Sequence, residues 1–486
     1  MKNNLYLGID LGTSGVKGVL YDTDGNILDK KLIEYNIISP KDGYAEEDPI
    51  IWKESTLEVL KYFGDKHYNV KGIGISGQMH GLVLLDKDDK VLRNSIIWCD
   101  GRTDSEKVQI EKTIGLEKCK SITGNIPMSA FTLAKLLWVK NNEPEIFTSI
   151  DKVLLPKDYI SYILTGKFCS ELSDLSGSQF LDIKKKDYSE ELLSIFKIKK
   201  DILPQIIDSY AIRGRITPEI KRITNLKDVF VVGGAADQAA SALGAGIIKD
   251  DVISIVLGSS GVIFNPCKKL KIYPNGELQT LIDANSNYYN MGCTNCCGTS
   301  LKWLRDNHYN IPYEEMDKLA CKVNPRENNL FFLPYLVGER TPILDNNARG
   351  VFFGLKNTTT KADVIRSVME GVGYSIKDSF LMLDNKIKCG IISGGGAKSS
   401  LYKEIISSML NLKLVETNSE TSSLGVAILA MVAGKEFKNL DEAAKNIVKY
   451  HNEIFPNKDL VEYYNEGYKI YKEIYNNTKE IFKKIK

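Results

Sequence analysis

The sequence predicts an α/β protein of two domains, each built on a mixed sheet flanked by helices. The hexamer Leu-Gly-[Thr/Ser]-Ser-Gly-Val occurs once in each half of the chain, at residues 11–16 and 257–262. Short apolar runs alternate with amphipathic helical stretches in both halves, which is the pattern of α/β folds. The 486 residues also exceed what one hydrophobic core usually serves. We therefore expect domains at residues 1–245 and 246–486, joined near residues 243–251.

Apolar runs and helical periodicity locate the main elements of each half. In the first half, the predicted strands cover residues 5–10, 16–21, 72–76, 82–85 and 95–98, and the predicted helices cover residues 49–63 and 131–140. In the second half, a predicted hairpin covers residues 253–257 and 262–265, further strands cover residues 389–392 and 413–415, and helices cover residues 297–306, 361–383 and 424–432. Each half therefore combines a hairpin with helices and further strands.

The tail, residues 460–486, carries tyrosines at near-helical spacing among lysines and glutamates. These are Tyr463, Tyr464, Tyr468, Tyr471 and Tyr475. Such a stripe is typical of a helix that packs its aromatic face on the rest of the fold, and a partner-binding helix is the alternative. We predict packing on the second domain.

Composition excludes several classes of protein. Lys and Arg number 64 against 62 Asp and Glu, a formal net charge of +2, which gives no electrostatic case for binding nucleic acid or a membrane. No apolar run approaches the ~20 residues of a membrane span, and nothing near the N-terminus resembles a signal peptide. A cytoplasmic protein with reduced thiols is expected from nine scattered cysteines. Only Cys293, Cys296 and Cys297 resemble a metal cluster, and without a second pair at finger spacing we do not expect zinc.

Both copies of the hexamer follow a short apolar run and form a glycine-and-hydroxyl turn. Glycine tolerates the dihedrals of such a turn, so backbone N–H groups and small hydroxyls are presented to a phosphate. The first turn follows Asp10, whereas the second has Val256 at the same place. A carboxylate is the usual ligand through which a protein holds a hydrated Mg²⁺ on a nucleotide. Glycine-serine hairpins are common in α/β proteins, but the pairing at half-chain spacing indicates a duplicated nucleotide-binding fold that closes on ATP.

Two further segments place polar side chains after a strand. Residues 231–238 run from a strand through a glycine turn to Asp237, at the start of a predicted helix. The amide groups and dipole there are expected to hold this carboxylate ionised, although a plain N-cap is the alternative. Residues 77–81 flank Gln78, Met79 and His80 with glycines, an arrangement suited to a pocket, although a lone His is often structural. Residues 98–103 again place an acid, Asp100, and a base, Arg102, after a strand.

Together these segments resemble the FGGY family of carbohydrate kinases, and within it the xylulokinases. Residues 8–17 resemble the family's N-terminal phosphate motif, and residues 77–81 resemble its sugar-side motif. Further similar stretches are residues 154–159, 338–342, 350–355 and 394–399. The resemblance extends in order over residues 5–435, so it is specific for the family, and less specific for the sugar.

The resemblance implies two actin-like, ribonuclease-H-type domains around a central cleft, with ATP and Mg²⁺ as cofactors and a homodimer as the family expectation. Asp237 matches the catalytic base, and Asp10 matches the acid near the metal ion. The sugar site implied is Met79, His80, Asp237 and Gln238. The ATP site implied is Gly12, Thr13 and Ser14 with Gly258, Ser259 and Ser260 along the phosphates, and Gly395, Gly396 and Ala397 against the adenosine.

The expected reaction is transfer from ATP to D-xylulose, giving D-xylulose 5-phosphate and ADP. Three positions depart from the better-known xylulokinases: Gln238 stands where Asn usually follows the catalytic Asp, Cys99 where Asn often precedes Asp100, and Ala236 replaces a glycine. Gln at this position also resembles glycerol kinases, which carry an Arg-Glu pair in place of Met79-His80. Another ketose, a sugar acid or a polyol (ribulose, gluconate or glycerol) is therefore an alternative substrate.

A non-catalytic sugar sensor is the alternative from another class. Such a protein is expected to carry a DNA-binding appendage or to have lost the acids. Asp10 and Asp237 are both present, and a first strand at Leu5 leaves no room for an N-terminal appendage. An enzyme is therefore the favoured interpretation.

Overall fold

The computed structural model describes residues 4–383, 386–417 and 420–485, so residues 1–3 of the predicted first domain and Lys486 of the predicted tail lie outside the described residues. The strands of the first half are β1 (Leu5–Gly12), β2 (Gly15–Tyr21), β3 (Ile27–Glu34), β4 (Glu46–Glu47), β5 (Val70–Gly77), β6 (Val83–Leu85), β7 (Ser95–Ile96), β8 (Lys152–Leu154), β9 (Cys169–Glu171), β10 (Leu181–Asp182), β11 (Asp187–Tyr188), β12 (Gln205–Ile207), β13 (Ile212–Arg215), β14 (Phe230–Val232) and β15 (Ala235–Ala236). Its helices are α1 (Pro49–Asp65), α2 (Asp104–Ile114), α3 (Leu116–Thr123), α4 (Thr132–Asn142), α5 (Pro144–Thr148), α6 (Pro156–Thr165), α7 (Leu172–Leu175), α8 (Glu190–Phe196), α9 (Pro218–Thr224) and α10 (Asp237–Gly244), with a 3-10 turn at Lys200–Ile202.

The second half likewise combines strands and helices. Its strands are β16 (Val252–Leu257), β17 (Gly261–Cys267), β18 (Gln279–Ile282), β19 (Tyr288–Thr294), β20 (Phe331–Leu333), β21 (Val351–Phe353), β22 (Cys389–Ser393), β23 (Lys413–Thr417) and β24 (Tyr450–Ile454). Its helices are α11 (Gly298–Leu304), α12 (Tyr313–Ala320), α13 (Lys361–Phe380), α14 (Ser400–Leu410), α15 (Thr421–Ala433), α16 (Leu440–Ile447) and α17 (Lys458–Phe482), with a π turn at Arg305–Tyr309 and a 3-10 turn at Gly395–Lys398.

Each half is built on one main mixed sheet, and six strands follow the same order in both sheets when one sheet is read in the opposite direction. The first sheet runs β13-β14-β5-β1-β2-β3, with β15 also paired to β5, and the second runs β18-β19-β17-β16-β22-β23-β24. In the first, β1 is antiparallel to β2 and parallel to β5. In the second, β16 is antiparallel to β17 and parallel to β22. The repeated hexamer therefore occupies the same position, the turn of the central hairpin, in both sheets.

Helices α10 and α15 join the two halves. Helix α15, from the second half, packs on the first sheet at Gly8 and Gly74, where a Cβ would overlap carbonyl oxygens of α15. Helix α10 crosses α15 at Gly244 and Gly425, and a Cβ at either glycine would overlap the backbone of the other helix. Helix α10 also faces the second sheet across a small cavity of mixed polar and apolar lining, which it lines together with β16 and β22. Glycines thus permit close backbone packing at the centre of the molecule.

The predicted hairpins and central strands are confirmed, and a few element ends differ. Predicted strand 95–98 is only Ser95–Ile96, because the following loop is fixed by Asp100, whose carboxylate accepts from the Ala45 amide. Predicted helix 297–306 ends at Leu304 and continues as the π turn, and predicted helix 361–383 ends at Phe380. Strands β3 and β13 of the first main sheet and β18, β19 and β24 of the second were not predicted. In edge strand β3 the apolar residues come in adjacent pairs and do not alternate.

The tail prediction is confirmed. Tyr464, Tyr471 and Tyr475 of α17 are buried in the core of the second half, and Tyr463 and Tyr468 pack against it. The hydroxyls of Tyr335 and Tyr471 lie 2.6 Å apart. The aromatic stripe therefore serves packing.

The structure bears on the predicted thiols, on metal binding and on membrane spans. All nine cysteines are free thiols, and burial raises the pKa of the Cys297 thiol to about 12. Within the described ranges, no group of three or more His, Cys, Asp or Glu side chains is arranged to hold a metal ion. No helix within the described ranges combines the length and the hydropathy that a membrane span requires.

Candidate active site

The first turn joins β1 to β2, and Asp10 lies in β1 directly before residues 11–16. In the strand pairing, Asp10 is opposite Lys17 on β2 and opposite Ser76 on β5. The Ser422 hydroxyl, at the start of α15, donates to Oδ1 of Asp10 at 3.2 Å. Burial raises the pKa of Asp10, while the hydrogen bonds from Ser422 and Ser76 and the charge of Lys17 oppose the rise. The carboxylate is thus held by groups from three elements.

The groups around Asp10 are suited to Mg²⁺. This ion is usually bound through one or two carboxylates, and water and substrate phosphates complete its octahedral shell. Asp10 offers one carboxylate, and the hydroxyls of Ser76 and Ser422, 2.9 Å apart, add oxygen atoms beside it. These are all hard oxygen donors, so the residues present fit the ion.

The second turn joins β16 to β17 and brings no acid, because Val256 stands where the first turn has Asp10. Its carbonyl oxygens accept hydrogen bonds at the start of α11. Gly298 N donates to the Gly258 oxygen at 2.8 Å, and Cys297 N donates to the Ser259 oxygen at 2.9 Å. The turn is thereby fixed against α11, with Ser259 exposed to solvent.

The glycine segment 394–397 lies against the second turn. Gly394 has φ +91°, and a Cβ there would lie 2.6 Å from the Leu257 carbonyl oxygen. A Cβ at Gly396 would lie 2.8 Å from Leu257 Cβ, whereas one at Gly395 would meet nothing within 4 Å. Gly395 therefore offers open backbone surface beside the second turn, and the two predicted parts of the ATP site in the second half are neighbours.

Asp237 is the first residue of α10, directly after β15. Ala235 and Ala236 of β15 pair with Ser76 and Gly77 of β5, and Ser76 also lies opposite Asp10 of β1. Asp237 therefore follows a strand that is separated from Asp10 by β5 alone. The tight turn before it requires Gly234, whose φ is +84° and where a Cβ would overlap the Ile75 carbonyl oxygen. Two strands and one glycine turn thus bring both acids to the same edge of the first sheet.

The expectation that Asp237 is held ionised by the helix N-terminus was wrong. Burial raises the pKa of Asp237 to about 7, and the charge of Asp10 adds to the rise. A hydrogen bond from the Gln238 amide to Oδ1 of Asp237, 2.7 Å long, opposes it only in part. Desolvation and like charge outweigh the helix terminus. The result is a carboxylate poised near neutral pH, as a general base requires.

His80 is buried with φ +69°. Its Nδ1 lies 2.8 Å from the Gly177 carbonyl oxygen, so Nδ1 carries the proton that it donates, and Nε2 is left as an acceptor. Burial, followed by the charge of Lys135, lowers the pKa of His80 to about 3, so the ring is neutral. The ring of Phe131 lies against it, with centroids 4.6 Å apart. A neutral, fixed imidazole can accept from a sugar hydroxyl.

Gln78 links the sugar-side segment to the first turn. The Thr13 hydroxyl donates to Gln78 Oε1 at 3.3 Å, and Gln78 Nε2 donates to Glu47 Oε2 at 2.9 Å. Trp98 Nε1 in turn donates to the Thr13 hydroxyl at 3.0 Å. Hydrogen bonds therefore connect the first turn to the segment that carries Met79 and His80.

The structure brings the predicted residues into two groups. Asp10, Thr13, Met79, His80 and Asp237 lie at the ends of β1 and β5 and the start of α10, while residues 258–260 and 395–397 adjoin on the second sheet. The side chain of Gln238 hydrogen-bonds Asp237 and also lines the cavity below α10.

Asp100 and Arg102 have a structural part. Oδ2 of Asp100 lies 2.7 Å from Nη2 of Arg102, and the Arg102 guanidinium lies 3.9 Å from the Tyr44 ring centroid. The pair fixes the loop after β7.

Sequence reasoning missed Ser422, Gly177 and Phe131. Gly177 is required where it is, because a Cβ there would lie 2.5 Å from His80 Cε1 and 3.0 Å from Met79 Cε. None of the three follows a strand-and-glycine pattern, and Ser422 comes from the other half of the chain. Only Gly177, between two serines, carried a weak turn signal.

Comparison with known proteins identifies the family. Residues 5–244 match the model of the FGGY family of carbohydrate kinases, N-terminal domain, and residues 253–434 match its C-terminal domain. The xylulose kinase of Lactococcus lactis subsp. lactis (strain IL1403) is 37% identical over 488 residues, covering 98% of this chain and 97% of the relative.

Solved structures agree. The ligand-bound xylulose kinase from Lactobacillus acidophilus superposes with a TM-score of 0.94 at 29% identity, covering 99% of this chain and 100% of that one. The gluconate kinase from the same organism gives 0.95 at 29% identity, covering 100% of both chains. With two actin-like domains and both family models matched, the chain belongs to the FGGY family of carbohydrate kinases.

Proposed function

We propose that this chain phosphorylates D-xylulose at O5 with ATP, giving D-xylulose 5-phosphate and ADP. The observation that carries the proposal is Asp237: burial and the charge of Asp10 raise its pKa to about 7, and it follows β15, which pairs with Ser76 and Gly77 directly before Gln78, Met79 and His80. A base at this pKa removes a hydroxyl proton efficiently at neutral pH. Its place at the junction of the two halves lets it meet a sugar on one side and ATP on the other.

The reaction is an in-line transfer. The Asp237 carboxylate accepts the proton of the sugar O5 hydroxyl as O5 forms its bond to the γ-phosphorus. The bond from that phosphorus to the β–γ bridging oxygen breaks, and ADP leaves with the electron pair. Little covalent chemistry is asked of the protein, so positioning and stabilisation of the phosphoryl charge provide most of the rate.

Both glycine turns and the third glycine segment would bind ATP. Backbone N–H groups and hydroxyls of Gly12, Thr13, Ser14, Gly258, Ser259 and Ser260 would follow the phosphates. Gly395, Gly396 and Ala397 would lie against the adenosine, supported by the open surface at Gly395. Asp10 would hold Mg²⁺, which supplies charge neutralisation on the phosphate oxygens.

Met79, His80, Asp237 and Gln238 would surround the sugar. Nε2 of His80 is the acceptor left by the bond from Nδ1 to Gly177, and Met79, buried beside it, can cover an apolar face of the open-chain ketose. The full-length similarity to xylulose kinases favours D-xylulose. The similarity to a gluconate kinase makes a sugar acid the second candidate.

Steady-state kinetics on a sugar panel tests the substrate. We expect kcat/KM to be highest on D-xylulose among D- and L-ribulose, L-xylulose, gluconate, erythritol and glycerol. Selectivity rests on a few hydrogen bonds, and one unpaired buried group costs ~1–3 kcal/mol, or tens- to hundreds-fold. A higher value on another sugar would replace D-xylulose and leave the kinase activity standing. Sugar binding with no ADP release on any member would instead favour the sensor.

The proposal also covers the domain boundary, the oligomeric state and the cellular location. We place the domain boundary at residues 245 and 246, supported by the gap between the two family-model matches. A homodimer is checked by size-exclusion chromatography with light scattering, and a cytoplasmic location by cell fractionation.

A further inference from the structure

A short buried segment, residues 171–177, contacts both sides of the active site. At one end, the Ser173 hydroxyl accepts a hydrogen bond of 2.9 Å from the amide of Ala236, the residue before Asp237. At the other end, the Gly177 carbonyl accepts the hydrogen bond from His80 Nδ1. The proposed base and the proposed sugar contact are therefore both held by seven consecutive residues.

The Ser173 hydroxyl has a fixed orientation. It donates its only proton to Oε1 of Glu171 at 2.9 Å, so a lone pair is left to accept from Ala236. Glu171 also accepts from the amides of Ser173 and Asp174 and from the Ser209 hydroxyl. A hydroxyl bound on both sides in this way fixes the Ala236 backbone in direction as well as in distance.

A buried ion network anchors the segment. Lys157 Nζ lies 3.2 Å from Oε1 of Glu171 and 2.9 Å from Oδ1 of Asp158, and Arg213 pairs with Asp158 at 2.9 Å. All of these side chains are fully buried. Water cannot substitute for the partners in such a site, so the network is held in one arrangement.

We propose that Ser173 is a positioning residue. Its hydroxyl is anchored by Glu171 and holds the Ala236 amide, and it thereby fixes the position of the catalytic base, Asp237. The inference rests on the proposed function of Asp237. It assigns Ser173 a role in turnover more than in sugar affinity, because His80 is held through a main-chain oxygen that substitution of Ser173 leaves in place. Small displacements of a catalytic group are enough to cost ~10²-fold in rate.

The test compares Ser173→Ala with Ser209→Ala. Both variants remove a hydroxyl that donates to Glu171, and only the first removes the partner of Ala236. We expect kcat to fall about 10- to 100-fold in Ser173→Ala, with the Kd for sugar within about threefold of wild type. Ser209→Ala should keep near wild-type kcat, and Ser173→Thr, which retains the hydroxyl, should recover most of the lost kcat.

Three outcomes would overturn the proposal: equal kcat loss in both alanine variants, a loss of sugar affinity in Ser173→Ala as large as its loss of kcat, or failure of Ser173→Ala alone to fold in thermal denaturation. Wild-type enzyme is first assayed on the sugar panel, and the variants are compared on whichever sugar it turns over. A wrong substrate is thereby distinguished from a wrong role for Ser173. No turnover of any sugar would remove both proposals.

Discussion

Ser422, on a helix from the second half of the chain, donates a hydrogen bond of 3.2 Å to Oδ1 of Asp10 in the first half. The same hydroxyl lies 2.9 Å from that of Ser76, and the neighbouring Glu420 pairs with Lys17 at 3.0 Å. Asp10, which directly precedes the first turn, is therefore oriented by both halves of the chain. Any change in how the halves pack will therefore alter the hydrogen bonding of the Asp10 carboxylate.

Loss of Asp237, the proposed base, should abolish most turnover and leave substrate binding largely unchanged. A single well-placed base typically supplies ~10²- to 10⁴-fold of rate, so kcat of Asp237→Ala should fall by that factor. Calorimetric titration should show sugar and ATP affinities largely intact. The exposed Asp201→Ala serves as the control and should behave as wild type. Near wild-type kcat in Asp237→Ala would show that another group is the base.

The activity should depend on the ionisation of Asp237. Because the base acts as a carboxylate and its pKa is raised to about 7, kcat/KM should rise with pH up to about 7 and then level off. Asp10→Asn removes the charge that contributes to this rise, so the acid limb of its residual activity should move to lower pH. A limb that stays in place would show that Asp10 does not act on Asp237.

The raised pKa also predicts how stability changes with pH. Asp237 has a folded pKa of about 7 against an ordinary 3.8, so the folded protein keeps a proton that the unfolded chain releases in this window. Ionisation of Asp237 is therefore more costly in the folded protein than in the unfolded chain. The free energy of unfolding decreases as pH rises from about 4 to about 7. Asp237→Asn cannot ionise and should be more stable than wild type at pH 8, by on the order of 2 kcal/mol, since the carboxylate retains some contact with water. Urea denaturation at pH 5 and pH 8 measures this, and a difference independent of pH would contradict it.

Gly395→Ala tests the adenosine site. A Cβ there meets no atom within 4 Å, so the melting temperature should stay within about a degree of wild type. The added methyl would lie in the surface proposed for the nucleoside, so KM for ATP should rise severalfold while KM for sugar is unchanged. An unchanged KM for ATP would place the adenosine elsewhere.

Gly425→Ala tests the helix crossing. Its Cβ would overlap the Ala240 carbonyl oxygen, a backbone atom that cannot move aside without separating α10 from α15. We expect the free energy of unfolding to fall by about 3 kcal/mol, the usual scale of overpacking in a core. Chemical denaturation checks this, with Gly395→Ala as the control for a glycine in open space. Wild-type stability would show that the helices can move apart at no cost.

Much of the fold could be predicted from the chain because its signals are local. A repeated hexamer after an apolar run encodes a strand and its turn wherever it occurs, and the matching strand orders of the two sheets confirm the duplication. Asp10 and Asp237 could be found for the same reason, since each accompanies a strand and a glycine turn. Edge strand β3 was not predicted, because an edge position does not require apolar and polar residues to alternate.

Local patterns in the chain therefore encode the repeated α/β architecture and the two acids at its strand ends. The pKa values of those acids and the hydrogen bonds that hold them depend on tertiary packing. The pKa of Asp237 depends on burial and on the nearby charge of Asp10, and neither is a property of residues 231–238 taken alone. The bond from Ser422 to Asp10 and that from His80 to Gly177 join residues far apart in the chain. Their pairing follows from how α15 and the segment at residues 171–177 pack, which no local pattern encodes.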